Sequence, residues 1–494
     1  MPRLNNVSGG PWYPLFFAVG LVLVAYVDSG VNVTFIARSL VVVLGGTLVV
    51  LGVARVLTGG WQRAAIVAMG LLAVLRSGSP IHAVAALVLI ALVLAAVLLA
   101  RRMWPTRFDI ASFTRTANGL AVILVAVILA GGVTNGTLGR IPDDLRQGAS
   151  LPEGDGGRED HDEPDVYLFV LDGYPRADTL QRLFDYDNSA FLRELAVAGF
   201  DLSSGSRSNY MYTALTLSSM LHGRHVLDLE PGSEPSALRH LINDNAVFDE
   251  LRSHGYAIVS TASPWDVVSV HNTDYRCGDG PMNGFEFHLL RSSLLMGPLM
   301  LVNPDLLADR HRAFIAGAFE CANAAMRSPL GAPRFVLVHA GAPHIPIVFD
   351  EAGESAPLEY YSDTFQELNL PQHEVDAAYI GQVEYVNGEV LAAADQIIER
   401  DPTAAIVIMS DHGSESEFVW GNARLSDFDE RFNILFASRT PGHPDLYGPE
   451  PTAINTLTKL LNAYLGTDLP EASDTLFFSD PGVLLNLEEL DWLP

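Results

Sequence analysis

The chain has a single lysine, Lys459, among its 494 residues. Any mechanism that needs an active-site lysine is thereby almost excluded. Cysteine is nearly as scarce: Cys277 and Cys321 are the only two, they stand too far apart for a local metal clip, and no Cys-x-x-Cys occurs. In an oxidising compartment they can join as a structural disulfide or remain two buried thiols, and nothing catalytic hangs on the choice. Acidic residues are missing from one end. Residues 1–139 hold nine arginines against only Asp28 and Asp109, a net charge of +7, whereas the remainder holds 21 basic and 56 acidic residues, a net charge of −35. So acidic a body excludes nucleic acid as a partner, because nothing in it would neutralise phosphates along a strand. A single anionic head group, gripped by a metal and a few arginines, remains compatible with it.

What is abundant is apolar sequence. The mean hydropathy is +0.22, high for a soluble protein, and the excess is concentrated near the N-terminus. Residues 11–27, 39–54, 81–100 and 117–133 are apolar and close to spanning length, with a shorter fifth run at 64–75. Arg55 and Arg63 fall between the second and third candidates; Arg101, Arg102, Arg107 and Arg115 fall between the last two. The positive-inside rule makes both loops cytoplasmic and places everything after residue 133 outside, in a multi-pass plasma-membrane protein with an extracytoplasmic domain. No span carries an acid or base near its centre, which favours an anchor over a transport pathway. Residues 1–139 are therefore expected to form a transmembrane region of four to five helices. Residues 140–164, rich in Asp, Glu, Gly and Arg, are expected to form a flexible acidic linker, and residues 165–494 an outside domain.

In that domain residues 406–413 read Ile-Val-Ile-Met-Ser-Asp-His-Gly. A run of apolar, β-branched residues reads as a strand buried on both faces, with Asp411 and His412 at its C-terminal lip, where open α/β sheets put their chemistry. Residues 166–171 (Val-Tyr-Leu-Phe-Val-Leu) repeat the pattern and end at Asp172-Gly173. Further short apolar runs at 256–260, 335–339 and 434–437 alternate with helical stretches such as 376–399. The expected fold is a mainly parallel sheet covered by helices. Between the first two strands, a helix starting at Thr213 carries hydroxyl groups in its first turn, where an anion or an alkoxide is favoured. A packed helix containing Ser and Thr would read the same way.

Taken together, Asp172-Gly173, Thr213 and Asp411-His412-Gly413 resemble the alkaline phosphatase superfamily. Within it the likeness is to the sulfatase-like proteins that include lipoteichoic acid synthases and phosphoglycerol or phosphoethanolamine transferases. Counting back from Gly223-Arg224 puts Thr213 where sulfatases carry the Cys of Cys-x-Pro-Ser-Arg. The segment 335–346, with Pro343-His344-Ile345-Pro346, is similar to the family's Pro-His-x-Pro, and Gln382, Tyr385, Asn387 and residues 431–434 continue the likeness. The resemblance implies an α/β domain of the alkaline phosphatase/sulfatase type and one divalent metal held by Asp172, Thr213, Asp411 and His412. Mn²⁺ is favoured by the mixed oxygen and imidazole set, with Mg²⁺, Zn²⁺ or Ca²⁺ compatible. It also implies Thr213 as nucleophile and His344 as a catalytic partner. His339, Asn209, Tyr210 and Arg224 become candidate substrate contacts; for His339 a hydrogen-bonded core role is the simpler reading. Without a Cys at position 213 no formylglycine can form, and no second Asp-x-x-x-His metal set is present.

The expectation from sequence is a membrane-anchored, metal-dependent enzyme that cleaves or transfers a phosphate-containing group of a lipid or an envelope glycan. Sulfate-ester hydrolysis on the same scaffold, a catalytically silent binding or assembly module, and a transporter with an external domain are the alternatives. Protein partners are not legible.

Overall fold

Seven strands form one sheet: β1 (Val166–Leu171), β2 (Asp201–Leu202), β3 (Ala257–Thr261), β4 (Tyr275–Cys277), β5 (Arg334–Ala340), β6 (Ala405–Ser410) and β7 (Phe436–Arg439), in the order β2-β7-β6-β1-β5-β3-β4. The computed structural model describes residues 10–29, 34–75, 109–134, 149–154, 163–229, 237–278, 282–293, 295–419, 426–479 and 483–490. The pairs among β1, β3, β4, β5 and β6 are parallel, as expected; β7 runs antiparallel to β6, and β2 antiparallel to β7. β7 also starts two residues later than the apolar run at 434–437 suggests.

The three central strands are buried at every position, as the apolar runs 166–171, 335–338 and 405–409 require of a sheet covered on both faces. Side chains alternate between the faces. Tyr167, Phe169 and Leu171 point with Val336, Val338, Ile406 and Ile408 into a core shared with helices Leu306–Arg327 and Gln372–Arg400. Val166, Leu168 and Val170 point with Leu337, Val407 and Met409 into a second core, shared with helices Thr213–Met220, Ala246–Ser253 and Thr456–Leu465. Truncating one large side chain in such a layer costs about 3–5 kcal/mol, more than any exposed ion pair contributes.

Register decides where the chemistry can gather. Leu171 pairs with Ala340 on one side and with Ser410 on the other. The residues that follow, Asp172, Gly341 and Asp411, therefore leave the sheet level with one another at its C-terminal edge.

The contacts divide the chain into two units, Met1–Leu145 with Pro281–Leu306, and Arg146–Gly280 with Leu307–Pro494. The sheet belongs to the second. There Cys277, at the end of β4, forms a disulfide with Cys321 on helix Leu306–Arg327. Part of the stretch expected as a flexible linker is also engaged here. Ala149 bridges Tyr275 at the edge of the sheet, and Ser328 Oγ donates to Pro152 O at 2.8 Å. A strand edge can pair with backbone of any composition, so polarity did not forbid this contact.

The first unit contains helices Tyr13–Ser29, Thr34–Thr58, Trp61–Leu75 and Ile110–Thr134. Among the described residues, two stretches, Ile36–Thr58 and Ile110–Gly132, are long and apolar enough to cross a membrane; Tyr13–Val27 and Trp61–Ala73 are apolar but shorter. The candidate span at 81–100 lies outside the described residues. Helices Tyr13–Ser29 and Ile110–Thr134 run in the same direction. Asn118 Oδ1 accepts from Trp12 N and Tyr13 N at 2.9 and 2.8 Å, while Gly20 lies farther along against Leu124, Val125 and Ile128.

Candidate active site and metal centre

Asp172 caps β1, Asp411 and His412 follow β6, and His339 lies on β5 paired with Val170. Val170 faces the layer that contains helix Thr213–Met220, so the His339 ring and the start of that helix share one side of the sheet. Thr213 is the first residue of the helix. Its Oγ1 lies 3.4 Å from Asp172 Oδ2 and 3.3 Å from His412 Nε2. His412 Nε2 is in turn 3.5 Å from Asp172 Oδ1 and 3.4 Å from Asp411 Oδ2, and His339 Nε2 is 3.4 Å from Asp172 Oδ2. Four residues from three widely separated stretches of the chain thus place five donor atoms around one point, with His339 beside them.

The histidine tautomers can be assigned from their partners. His412 Nδ1 lies 2.9 Å from the carbonyl of Gly413, so it carries the proton and Nε2 keeps its lone pair toward the carboxylates. His344 Nδ1 donates likewise to Ile345 O at 2.5 Å. An imidazole fixed by a carbonyl at one nitrogen and bare at the other is oriented as a metal ligand or a proton acceptor. His344 reaches the site because its backbone N–H donates to Asp172 O at 2.8 Å. Gly173 allows that approach: its φ is +72°, and a Cβ there would meet the backbone of His344 at 3.3 Å. The rings of His344 and His412 lie 5.8 Å apart.

Thr213 and His344 are half-buried, whereas Asp172, Asp411, His412 and His339 are at most 3 % exposed. A substrate therefore meets the hydroxyl and His344 first, with the charged groups behind them. Burial works to raise the Asp172 carboxyl, but His344, His339 and His412 outweigh it and hold it below the usual carboxylate range. Asp411 goes the other way, pushed up to about 6 by burial and by the charge of Asp172. Two carboxylates this close in a dry site cannot both ionise freely. Burial, and then the Arg431 charge, keep His412 neutral. Asp172 Oδ1, Asp411 Oδ2 and both ring nitrogens of His339 are buried without a hydrogen-bond partner. Such groups normally cost about 1–3 kcal/mol each. Two anionic oxygens, a hydroxyl and a neutral imidazole fit a divalent cation, and the groups Asp172, His344, His412 and Asp172, His339, Asp411 each bring their donor atoms within 4.8 Å of one another.

The surrounding residues hold this arrangement. Arg431 is fully buried; its Nε donates to Met211 O at 2.9 Å and its Nη1 to Gly413 O at 2.8 Å, while Nη2 lies 3.3 Å from His412 Nε2. One guanidinium thus ties the approach to Thr213 to the loop that carries His412. Helix Gln372–Arg400 braces the other side. Tyr379 Oη donates to Gly173 O at 2.7 Å, and Gln382 Nε2 donates to Pro343 O and His344 O at 3.1 and 3.0 Å. Gly413 packs so closely that a Cβ would lie 1.8 Å from Glu430 O. The sequence pattern gave no role to Arg431; the one signal available was an arginine inside the apolar run of residues 431–436.

Asp172, Thr213, His339, His344, Asp411 and His412 are brought together; three other candidates are not. Asn209 has no exposed surface, accepts from Ile454 N and donates to Thr475 O. Tyr210 is equally buried, its hydroxyl 3.0 Å from both His225 Nδ1 and Val226 N. Arg224 is at the surface and donates to Asp228 O.

No family model and no curated protein matches the chain. Solved structures do. The C-terminal periplasmic domain of EcEptC from Escherichia coli is 13 % identical, with a TM-score of 0.43, over 70 % of this chain and 98 % of that one. The soluble domain of lipooligosaccharide phosphoethanolamine transferase A from Neisseria meningitidis is 12 % identical, with a TM-score of 0.39, over 64 % and 93 %. Phosphonate monoester hydrolase of Agrobacterium radiobacter is 14 % identical, with a TM-score of 0.39, over 65 % and 82 %. At these values the likeness says nothing about activity, and the chemistry must be taken from the side chains.

Proposed function

We propose that this chain is a membrane-anchored, metal-dependent enzyme that cleaves or transfers a phosphate-containing group, with Thr213 as nucleophile. The observation that carries this reading is the half-buried Thr213 hydroxyl within 3.4 Å of both Asp172 and the bare nitrogen of His412, in front of two buried, partly unpartnered carboxylates. A divalent metal held by Asp172, Thr213, Asp411 and His412, Mn²⁺ by preference and otherwise Mg²⁺, Zn²⁺ or Ca²⁺, supplies when bound an acidified hydroxyl and positive charge for the phosphoryl oxygens.

The rest falls to the chain. The helix that begins at Thr213 points its N-terminal end toward the developing anion. Thr213 Oγ forms a bond to phosphorus as the bond from phosphorus to the departing oxygen breaks, leaving a phosphothreonine ester and an alcohol. His344, half-exposed and with Nε2 free of its own backbone contact, is placed to take the proton that Thr213 Oγ loses, hand it to the departing oxygen, and later take one from the incoming hydroxyl. An acceptor alcohol makes the protein a transferase; water makes it a hydrolase. The substrate is a lipid head group or an envelope glycan on the extracytoplasmic face. The arginine asymmetry supports that side: Arg115 lies near the start of helix Ile110–Thr134, whose far end leads to the second unit.

Peptide mass spectrometry on full-length protein from its native membrane tests the reading. A phosphorus-containing adduct on Thr213, absent from a His412→Ala variant, is expected, and its mass identifies the transferred group. Turnover of phosphate esters by a folded Thr213→Ala variant at the wild-type rate would overturn it.

A further inference from the structure

Residues 282–306 leave the sheet-containing unit after β4 and belong instead with the apolar helices of the first unit. They form two short helices, Gly284–Arg291 and Met296–Val302, with axes 96° apart. The first is well built. Asn283 Oδ1 accepts from Glu286 N at 2.9 Å, and Glu286 Oε2 accepts from Asn283 N at 3.0 Å, a capping box that fixes the start of the helix. Its inner face is docked: Phe285 is buried among Val22, Ala25, Tyr26 and Ile36, with Leu40 and Leu289 at the margin, and Glu286 pairs with Arg38.

These contacts set the level of the segment. Ile36 opens the stretch Ile36–Thr58, which is long enough to cross a membrane, and Val22 and Tyr26 lie near the C-terminal end of helix Tyr13–Ser29. That helix runs in the same direction as Ile110–Thr134. The segment is therefore seated at the end of the first unit where Ile110–Thr134 finishes and the chain leads on to the second.

The second helix has no docked face. It reads Met-Gly-Pro-Leu-Met-Leu-Val, with no polar residue on any side, and none of it is buried. Leu295, Leu299, Leu301 and Val302 are 46, 40, 57 and 86 % exposed. An apolar surface continuous with a spanning helix is costly in water and favourable in the boundary between lipid head groups and acyl chains. Neither half can cross: eight helical residues rise about 12 Å, against a hydrocarbon core of about 30 Å. Arg291, Asn303 and Asp305 at the ends of the turn are exposed and suit the head-group layer.

We propose that Met296–Val302 is an interfacial helix, lying in the boundary of the bilayer at the membrane face where helix Ile110–Thr134 ends. The partner is the lipid surface itself. This placement stands whether or not the reading of Thr213 is right, because it rests on contacts in the other unit.

The native cysteines are joined to each other, so a single introduced cysteine gives one labelling site. Full-length Leu299→Cys and Leu301→Cys proteins carrying a nitroxide are reconstituted in vesicles of phosphatidylethanolamine and phosphatidylglycerol, with Val197→Cys, 89 % exposed in the sheet-containing unit, as the water-facing reference. Collision with dissolved oxygen is expected to exceed collision with a water-soluble nickel chelate several-fold at both leucine sites, and the reverse at Val197. Nickel accessibility at Leu299 and Leu301 equal to that at Val197 would overturn the proposal. Protection from both reagents would do so as well, since it would mean that protein, a second copy included, covers the helix.

Discussion

Arg431 offers the sharpest test of how the site is held. Replacing it with methionine keeps length and volume but removes the donors to Met211 O and Gly413 O, at 2.9 and 2.8 Å, and the contact with His412 Nε2 at 3.3 Å. Met211 O is left unpaired, while Gly413 O keeps the bond from His412 Nδ1; one buried carbonyl left unpaired costs about 1–3 kcal/mol, so a loss of roughly 1–3 kcal/mol is expected. For domains of 150–250 residues each kcal/mol lowers Tm by about 2–4 °C; at that scale the melting point of the sheet-containing unit should fall by roughly 2 °C or more. Lysine in the same place can satisfy one carbonyl but not both, because its ammonium is a single point rather than a fork, and it should fall between the two. Activity should drop further than stability, since an error of about 1 Å between Thr213 and His412 is enough for a loss on the order of 10²-fold. The measurements are thermal unfolding of the full chain in detergent, followed by circular dichroism, and turnover below the transition. Arg431→Met with an unchanged melting point and unchanged turnover would show that the guanidinium does not hold the two loops together.

Two further outcomes are expected. His311 is fully buried beside Trp265, and burial lowers its pKa from 6.5 to about 4. The folded state therefore binds the proton less well than the unfolded chain, so the stability is complete above about pH 6.5 and is lost as pH falls toward 4, by roughly 3 kcal/mol at most. His311→Gln should flatten the slope of unfolding midpoint against pH in that window; an unaltered slope would refute the assignment. The Cys277–Cys321 disulfide has a sequence separation of 44, and a loop of that length contributes about 4 kcal/mol in the chain-entropy model. Cys321→Ala should lower the denaturant midpoint accordingly, with no change in the metal content of the protein; equal midpoints would show that the native packing does not use the link.

The central strands were legible because each carries an uninterrupted apolar run, which leaves a buried strand as the economical reading for 166–171, 335–338 and 405–409. Pairing direction was not legible: β7 grows out of the apolar run at 434–437, and nothing in Phe436–Arg439 says that it runs against β6. β2 and β4 are two and three residues long and are defined by their neighbours rather than by their own pattern. At the site, Asp172, Asp411 and His412 could be placed from the ends of strands. Asn209 and Tyr210 were drawn in by closeness to Thr213 along the chain, yet their side chains are committed to residues 225, 226, 454 and 475. Arg431 was given no role of its own because two of its partners, Met211 O and Gly413 O, are backbone carbonyls and its contact with His412 is made only in the fold. The helix Met296–Val302 escaped because a run so short is not distinguishable from a core segment.

The disulfide has a consequence for how the chain can be cut. Residues 282–306 lie inside the loop that Cys277 and Cys321 close. A protease that nicks this excursion therefore severs the polypeptide without releasing either piece. The N-terminal fragment, with its apolar helices, β1 and Thr213, stays covalently joined to the C-terminal fragment with β5, β6 and His412. The two halves of the candidate site would separate on a gel only after a thiol reductant was added.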